Sequence, residues 1–405
     1  MTTPLIYLDN AATSWPKNPR VGEAMVDFLD TKAGNPGRGG HVLARAADDT
    51  IEEARFKIAN MINAPSPSRV ILTHGCTDAL NLAIHGVIRA LQISGCDGPV
   101  KIVASVLEHN AVLRTLHCYQ ENNAVELITV ECDEFGRTDP ARFASACTPC
   151  TAMVCLTHSS NAMGTIQPLK EVFAAVSKVA PDALTLVDSA QTLGHVPVDV
   201  QAMGIDLMAI AGHKGLGGPT GTGALYISDR AFPDCCQSQT PRIYCQRRGG
   251  TGSKAAGLEM PIQLPDALEA GTTNAVGFAG LIAAIDAMSA SAHEHEMKLT
   301  AQIISGLSLI DGITIYGMPG IEGRTPVVLF NARSIPARQV SDVLDKKFNI
   351  ATRAGSHCAP LAHIALGNGE DGGIRVSPGA TTTNEEIERF LEAVRLIVAE
   401  SAAGS

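Results

Sequence analysis

With 405 residues, 45% of them hydrophobic, and a formal net charge of −10, the chain is long enough for more than one core. It is acidic and has no basic block, which argues against a nucleic-acid-binding surface. No apolar run is long enough to span a bilayer and the N-terminus lacks signal-peptide features, so a cytoplasmic protein without membrane contact is expected, its 11 cysteines kept as thiols.

In chain order, Asp9-Asn-Ala-Ala-Thr13 follows a short apolar segment and reads either as a substrate-side loop or as plain turn chemistry. A helix is expected from about Val21 to Leu29. Next comes the glycine-rich loop from Asn35 to His41, with a lone His and Arg38. A second helix runs from about Leu43 to Ile62. Arg69 to Gly75 reads as a buried strand leading into a helix that begins near Cys76 and Thr77, because Leu80, Ile84, Val87, Ile88 and Leu91 share one stripe. Such a helix start suits a phosphate, or is simply an N-cap with nothing bound.

Short apolar or β-branched runs then alternate with helical segments, at Pro99 to Ser105, Val125 to Val130, Thr151 to Leu156, Leu184 to Val187, Leu207 to Ile210 and Gly223 to Ile227. The alternation predicts an α/β sheet, mostly parallel and covered on both faces. Glu108, His109, Asn161, Asp188, Gln191, His213 and Lys214 lie just beyond the carboxyl ends of these runs, where ligands bind in such sheets. After Ile227 a Gly-, Arg- and Pro-rich stretch leads to Leu268-Glu-Ala-Gly-Thr-Thr-Asn274. Helical periodicity then continues through Leu309, with strands expected at Ile313 to Tyr316 and Val327 to Asn331 and helices at Ser341 to Phe348 and Glu385 to Val398. The change of pattern near residue 290 sets a boundary between a large domain, 19–289, and a small α+β domain made of 1–18 and 290–405.

The chemistry centres on Lys214. Six glycines between Gly212 and Gly223 let a ligand approach it closely, which suits an amine nucleophile; the alternative is a flexible turn with a solvated lysine. Asp188 ends a buried strand and needs a cationic partner there. A carboxylate, a lysine and an anion cradle at Thr77 are the three features that a pyridinium ring with an aldehyde and a phosphate would use together.

These residues, with Tyr7-Leu-Asp-Asn-Ala-Ala-Thr13, His158-Ser-Ser-Asn161, Glu269-Ala-Gly-Thr272 and Arg353-Ala-Gly-Ser-His-Cys358, resemble the class V aminotransferase fold of pyridoxal 5'-phosphate (PLP) enzymes, and within it the cysteine desulfurases. The resemblance covers nearly the whole chain. It implies the type I PLP-dependent transferase fold, with a mostly parallel seven-stranded sheet in the large domain and a smaller α+β C-terminal domain.

By the same resemblance Lys214 binds the cofactor aldehyde, Asp188 partners the ring nitrogen and His109 stacks on the ring. Asn161 and Gln191 contact its phenolic oxygen. Cys76, Thr77 and His213 hold the phosphate within one subunit, and Thr272 reaches the phosphate of a second subunit, which implies a homodimer with shared active sites. Arg375 holds the substrate carboxylate, Arg353 is a second active-site arginine and Asn35 a substrate-side asparagine. Cys358 is the nucleophile that takes sulfur from L-cysteine, leaving L-alanine and a persulfide; flanking His357 and Arg353 would favour its thiolate.

Two features depart from the pattern. Ala211 stands where a phosphate-binding Ser is common, and the Gly215-Leu-Gly-Gly218 loop is one residue longer. The short loop before Cys358 resembles the desulfurases that depend on a dedicated sulfur-acceptor protein in iron-sulfur cluster or thiocofactor assembly. Alternatives are a selenocysteine lyase or other PLP β-lyase, and a PLP-binding scaffold of a sulfur-transfer complex. No metal site is expected: Cys147 and Cys150 lack a second pair, and His293-Glu-His-Glu296 reads as structural or solvated.

Overall fold

Apolar runs too short for helices become a seven-stranded sheet in the computed structural model, which describes residues 4–37, 40–96, 98–233, 240–251, 258–369 and 371–403. Arg38 of the glycine-rich loop, Cys235 and Cys236 lie outside the described residues. The first strand, β1 (Ile6–Tyr7), stands apart from the main sheet. The sheet itself consists of β2 (Val70–Thr73), β3 (Val100–Ser105), β4 (Val125–Val130), β5 (Thr151–Thr157), β6 (Leu184–Asp188), β7 (Leu207–Ala211) and β8 (Gly223–Ile227), in the order β2-β8-β7-β6-β5-β3-β4. Only β8 runs antiparallel to its neighbours, β2 and β7. The other pairs are parallel.

Successive residues of the central strands point to opposite cores, as a pleated strand requires. Val154, Val187, Met208 and Ile210 pack against α1 (Pro19–Thr31), α2 (Val42–Met61), α5 (Pro140–Ser145), α6 (Leu169–Val179) and α7 (Ala275–Asp286). Met153, Cys155, Leu186, Leu207 and Ala209 pack against α3 (Cys76–Ile93) and α4 (Asn110–Glu121). A helix layer on each face buries both sides of the sheet, so the polar ends of its strands face one another along a single edge.

A third core joins Ile6 and Leu8 to residues from Leu299 onward. It is built by α8 (Ala290–Ser308), α9 (Ala337–Phe348) and α11 (Asn384–Ala403) over a four-stranded antiparallel sheet. That sheet has the order β12 (Arg353–Gly355), β13 (Gly373–Val376), β10 (Val328–Ala332), β9 (Ile313–Tyr316). The short β11 (Ile350–Ala351) pairs in parallel with β1, and α10 (Pro360–Ala365) follows Cys358.

The helical run expected from about 274 to 309 is divided. Its halves, α7 and α8, meet at 79°, because Ser289 takes extended backbone and caps α8 by accepting from the Ala292 N–H. No single described helix is long and apolar enough to cross a membrane.

Candidate active site

Strand ends at the carboxyl edge place the functional side chains around a cavity of about 640 Å³. It is lined by Cys76, Thr77, His109 and Asn161, together with Asp188, Gln191, His213 and Lys214. Eight of the sequence-assigned residues therefore meet in one place.

The link from β2 to α3 turns at Gly75, whose φ of 155° favours glycine, and no side chain caps the helix. A Cβ on Gly223 would lie 2.5 Å from the Gly75 backbone, so two glycines let β8 pass close to the helix start. The leading N–H groups of α3 are left for an anion, at the positive end of the helix dipole.

Asp188 ends β6, buried, and its Oδ1 accepts from the Ala190 N–H at 2.9 Å and from the Cys76 thiol at 3.3 Å. The Cys76 side chain thus serves Asp188, and burial pushes its pKa up. Any contact it makes with a phosphate is left to its backbone N–H. Burial pulls the Lys214 pKa down, while the nearby Asp188 pulls it up.

His109 caps α4: Nδ1 accepts from the Ala111 N–H at 3.0 Å, so the ring orientation is fixed and Nε2 carries the proton of the neutral imidazole. Burial lowers its pKa. Burial first, then Lys214 and Lys17, takes His213 down to about 4, and its buried Nδ1 has no hydrogen-bond partner. Asn161 and Gln191 line the cavity while donating to backbone carbonyls, Asn161 to His357 O at 2.6 Å and Gln191 to Ala11 O at 3.0 Å.

The substrate-side residues lie behind this lining. Arg375 on β13 is fully buried, donating from Nη2 to Asp9 Oδ1 at 2.7 Å and from Nη1 to Asn161 O at 2.9 Å, with Nε unpartnered. Arg353 Nη2 is 3.9 Å from Cys358 Sγ. Cys358 is half-buried and follows His357 in a pair of left-handed residues, φ 52° and 58°. Its carbonyl accepts from the Asn110 N–H at 2.7 Å, which ties the loop to the start of α4 beside His109.

His357 does not support the thiolate as expected. The ring is turned inward, with Nδ1 3.1 Å from His363 Nε2 and Nε2 3.1 Å from the Arg353 carbonyl, and burial holds its pKa well below the ordinary value. A neutral imidazole facing away gives Cys358 no charge, so Arg353 is the cation at the sulfur.

Two assigned residues lie outside the cavity of their own chain. Thr272 is exposed beside a separate small cleft with His74 and Arg247, and Asn35, also exposed, does not line the cavity. Glu269, from the same motif as Thr272, grips Arg55 at 2.7 Å and the Leu72 N–H at 2.6 Å, fixing that segment to α2 and β2.

Sequence reasoning passed over two groups. Asp9 holds Arg375, and only its place in the quoted opening segment hinted at it. Lys17 Nζ donates to His213 O and to Ser14 Oγ, both at 2.8 Å, and burial lowers its pKa to about 8. It sits between prolines with no pattern around it. The His293 to Glu296 segment, expected to be structural or solvated, packs against His195: Glu296 is buried and His295 bonds the Thr382 carbonyl at 2.7 Å.

The donor set fits PLP. Uncapped helix N–H groups, a neutral His213 with an orphaned Nδ1 and the Thr77 edge would hold the phosphate, while Ala211 lines the cavity without a side-chain donor. Asp188 would meet the ring nitrogen, His109 the ring face and Lys214 the aldehyde.

The aminotransferase class-V family model matches residues 6–390. A probable cysteine desulfurase of Methanothermobacter thermautotrophicus is 36% identical over 403 residues, spanning 97% of this chain and 94% of that protein. A cysteine desulfurase of Haloferax volcanii is 32% identical over 400 residues, spanning 97% and 89%. Among solved structures, a cysteine desulfurase from Thermococcus onnurineus in its apo form superposes with a TM-score of 0.86 at 28% identity, covering 98% of this chain and 95% of that one.

Proposed function

The chain belongs to the aminotransferase class-V family, among its cysteine desulfurases, and from that premise we propose that it is a PLP-dependent enzyme converting L-cysteine to L-alanine, with the sulfur held as a persulfide on Cys358. The observation that carries this reading is the pairing of a half-buried Lys214 and a buried Asp188 in one cavity with a half-buried thiol tied to the helix start that presents His109.

In the proposed reaction Arg375 binds the substrate carboxylate through its guanidinium fork, and Asp9 holds that fork in place. The Cys358 thiolate, beside Arg353, forms an S–S bond with the substrate sulfur as the substrate Cβ–S bond breaks. The electron pair of the broken bond stays with Cβ, which is protonated to give the methyl group of alanine. PLP, when bound, supplies the electron sink that makes this cleavage accessible. Lys214, whose burial favours the free amine, moves protons at the substrate carbon. Neutral His109 holds the ring face without adding charge.

In this reading residues 19–289 form the cofactor domain, and 1–18 with 290–405 form the small domain carrying the Cys358 loop. Thr272, exposed and away from its own cavity, reaches the phosphate of a second copy in a homodimer, and Asn35 lies at the substrate side. The persulfide passes to a sulfur-acceptor protein for iron-sulfur cluster or thiocofactor assembly. A cytoplasmic location agrees with the thiol state of the described cysteines.

The test is to mix PLP-loaded protein with L-cysteine, quantify alanine and locate the persulfide by peptide mass. Alanine release with the added sulfur on Cys358 is expected; sulfur on another cysteine would overturn the assignment. Parallel turnover of selenocysteine by wild type and Cys358→Ala separates a desulfurase from a selenocysteine lyase. A protein that binds PLP yet releases no alanine with a reductant and candidate acceptors present would be a scaffold instead.

A further inference from the structure

Beside the Lys214 turn a second cavity of about 170 Å³, which shares Gln191 and Lys214 with the cofactor cavity, has His195, His293 and Glu296 in its wall. The three come from two parts of the chain. His195 lies in the connection from β6 to β7, while His293 and Glu296 are three residues apart on α8 and so project from one helical face. One nitrogen or oxygen from each falls within 4.8 Å of the other two.

The details suit a cation. Glu296 Oε2 is 3.1 Å from His195 Nδ1 and 4.0 Å from His293 Nδ1. Both Nδ1 atoms are buried, and neither makes a hydrogen bond of acceptable geometry. The Glu296 carboxylate is buried among these rings, where it needs a positive partner. Bonds of ~2.0–2.2 Å to a tetrahedral ion put ligand atoms a little over 3 Å apart, the spacing of Glu296 and His195, while His293 at 4.0 Å has to close in slightly.

The donor types narrow the ion. Two imidazoles and one carboxylate suit zinc and its transition-metal neighbours; calcium and magnesium favour all-oxygen shells. The cavity leaves room for a fourth ligand such as water.

The site is also held firmly. Gly194 takes φ 102°, and a Cβ there would strike the Gly215 backbone at 2.4 Å; a Cβ on Gly215 would in turn meet the His195 ring at 2.9 Å. His195 is therefore pressed against the residue that follows Lys214, with Nδ1 turned to α8.

We propose that His195, His293 and Glu296 form a three-ligand site for a divalent transition-metal ion of the zinc type, which ties the first turns of α8 to the chain beside Lys214. The competing arrangement is a protonated histidine paired with Glu296 and no metal.

The experiment uses PLP-loaded wild type, His293→Ala and Glu296→Gln, each equilibrated with Zn²⁺ or Co²⁺, freed of excess ion and assayed for bound metal. Retained cofactor absorbance shows that each variant is folded. One ion per subunit is expected in wild type and loss of that ion in both variants. The Co²⁺ spectrum should have d–d bands without thiolate charge transfer, which excludes ligation by cysteines. Tm should rise with free Zn²⁺ in wild type and stay constant in the variants. A wild type that retains no metal, or folded variants that retain as much as wild type, would overturn the proposal.

Discussion

The Lys214 turn and the Cys358 loop differ in how they are held. Lys214 itself is half-buried, but it follows a strand with a helix layer on each face and has the buried Asp188 on the neighbouring strand. The Cys358 loop bends through two left-handed residues, and its reactive atom is half-buried near a single arginine. The cofactor residues are thus fixed before any ligand arrives, while the thiol is positioned by its backbone and keeps its sulfur accessible. A group that holds a cofactor benefits from rigidity; one that must give sulfur away cannot be locked in.

The sharpest way to separate the two is to remove each reactive group. Lys214→Ala should lower alanine formation by about 10³-fold or more and also change the cofactor's visible spectrum. Cys358→Ser should remove desulfuration to a similar extent, yet leave that spectrum as in wild type. If Cys358→Ser disturbed the spectrum as strongly, the two regions would not be independent.

The frame behind the lysine side is tested next by Glu269→Ala. It leaves the buried guanidinium of Arg55 with only the exposed Glu52 at Nε, and a loss of about 3 kcal/mol, the low end for breaking a buried ion pair, is expected in denaturant unfolding. Asp9→Asn weakens the grip on Arg375 by one charge-assisted hydrogen bond. About 1.5–3 kcal/mol should appear as a rise in KM for cysteine with a smaller change in kcat.

The smallest effect concerns Glu108, buried beneath the cavity, whose pKa burial raises from 4.5 to about 8. The folded protein keeps a proton there that the unfolded chain releases. This contribution to stability is whole below about pH 4.5 and is lost as pH rises toward 8. Glu108→Gln should remove up to one proton from the stability–pH slope, ~1.4 kcal/mol per pH unit, and an unchanged slope would show that the carboxyl is ionised in the fold.

The large sheet was legible because its strands are apolar on both faces and end at polar residues. The small sheet was less so: Arg353–Gly355 and Gly373–Val376 are short, and their glycines and arginines carry no period-two pattern. The continuous helix expected across Ala287 failed because Ser289 preferred to cap. At the site, Lys214, Asp188 and His109 were readable from strand ends and motif context. The inward turn of His357 was not, since only tertiary packing against His363 decides it. Likewise nothing in sequence joins His195 to residues some hundred positions later.

The Asn110 N–H that holds the Cys358 carbonyl comes directly after His109, the cap of the same helix. One latch therefore serves both ends of the reaction. A loop that carried the sulfur outward would pull on the helix start that presents His109 to the cavity, and whatever drew the loop out would be felt there. Reciprocity then requires the converse: a filled cofactor site that tightens the helix start also holds the sulfur in. Delivery and cofactor grip become opposite arms of one balance, so the arrival of an acceptor should be visible as a change of colour.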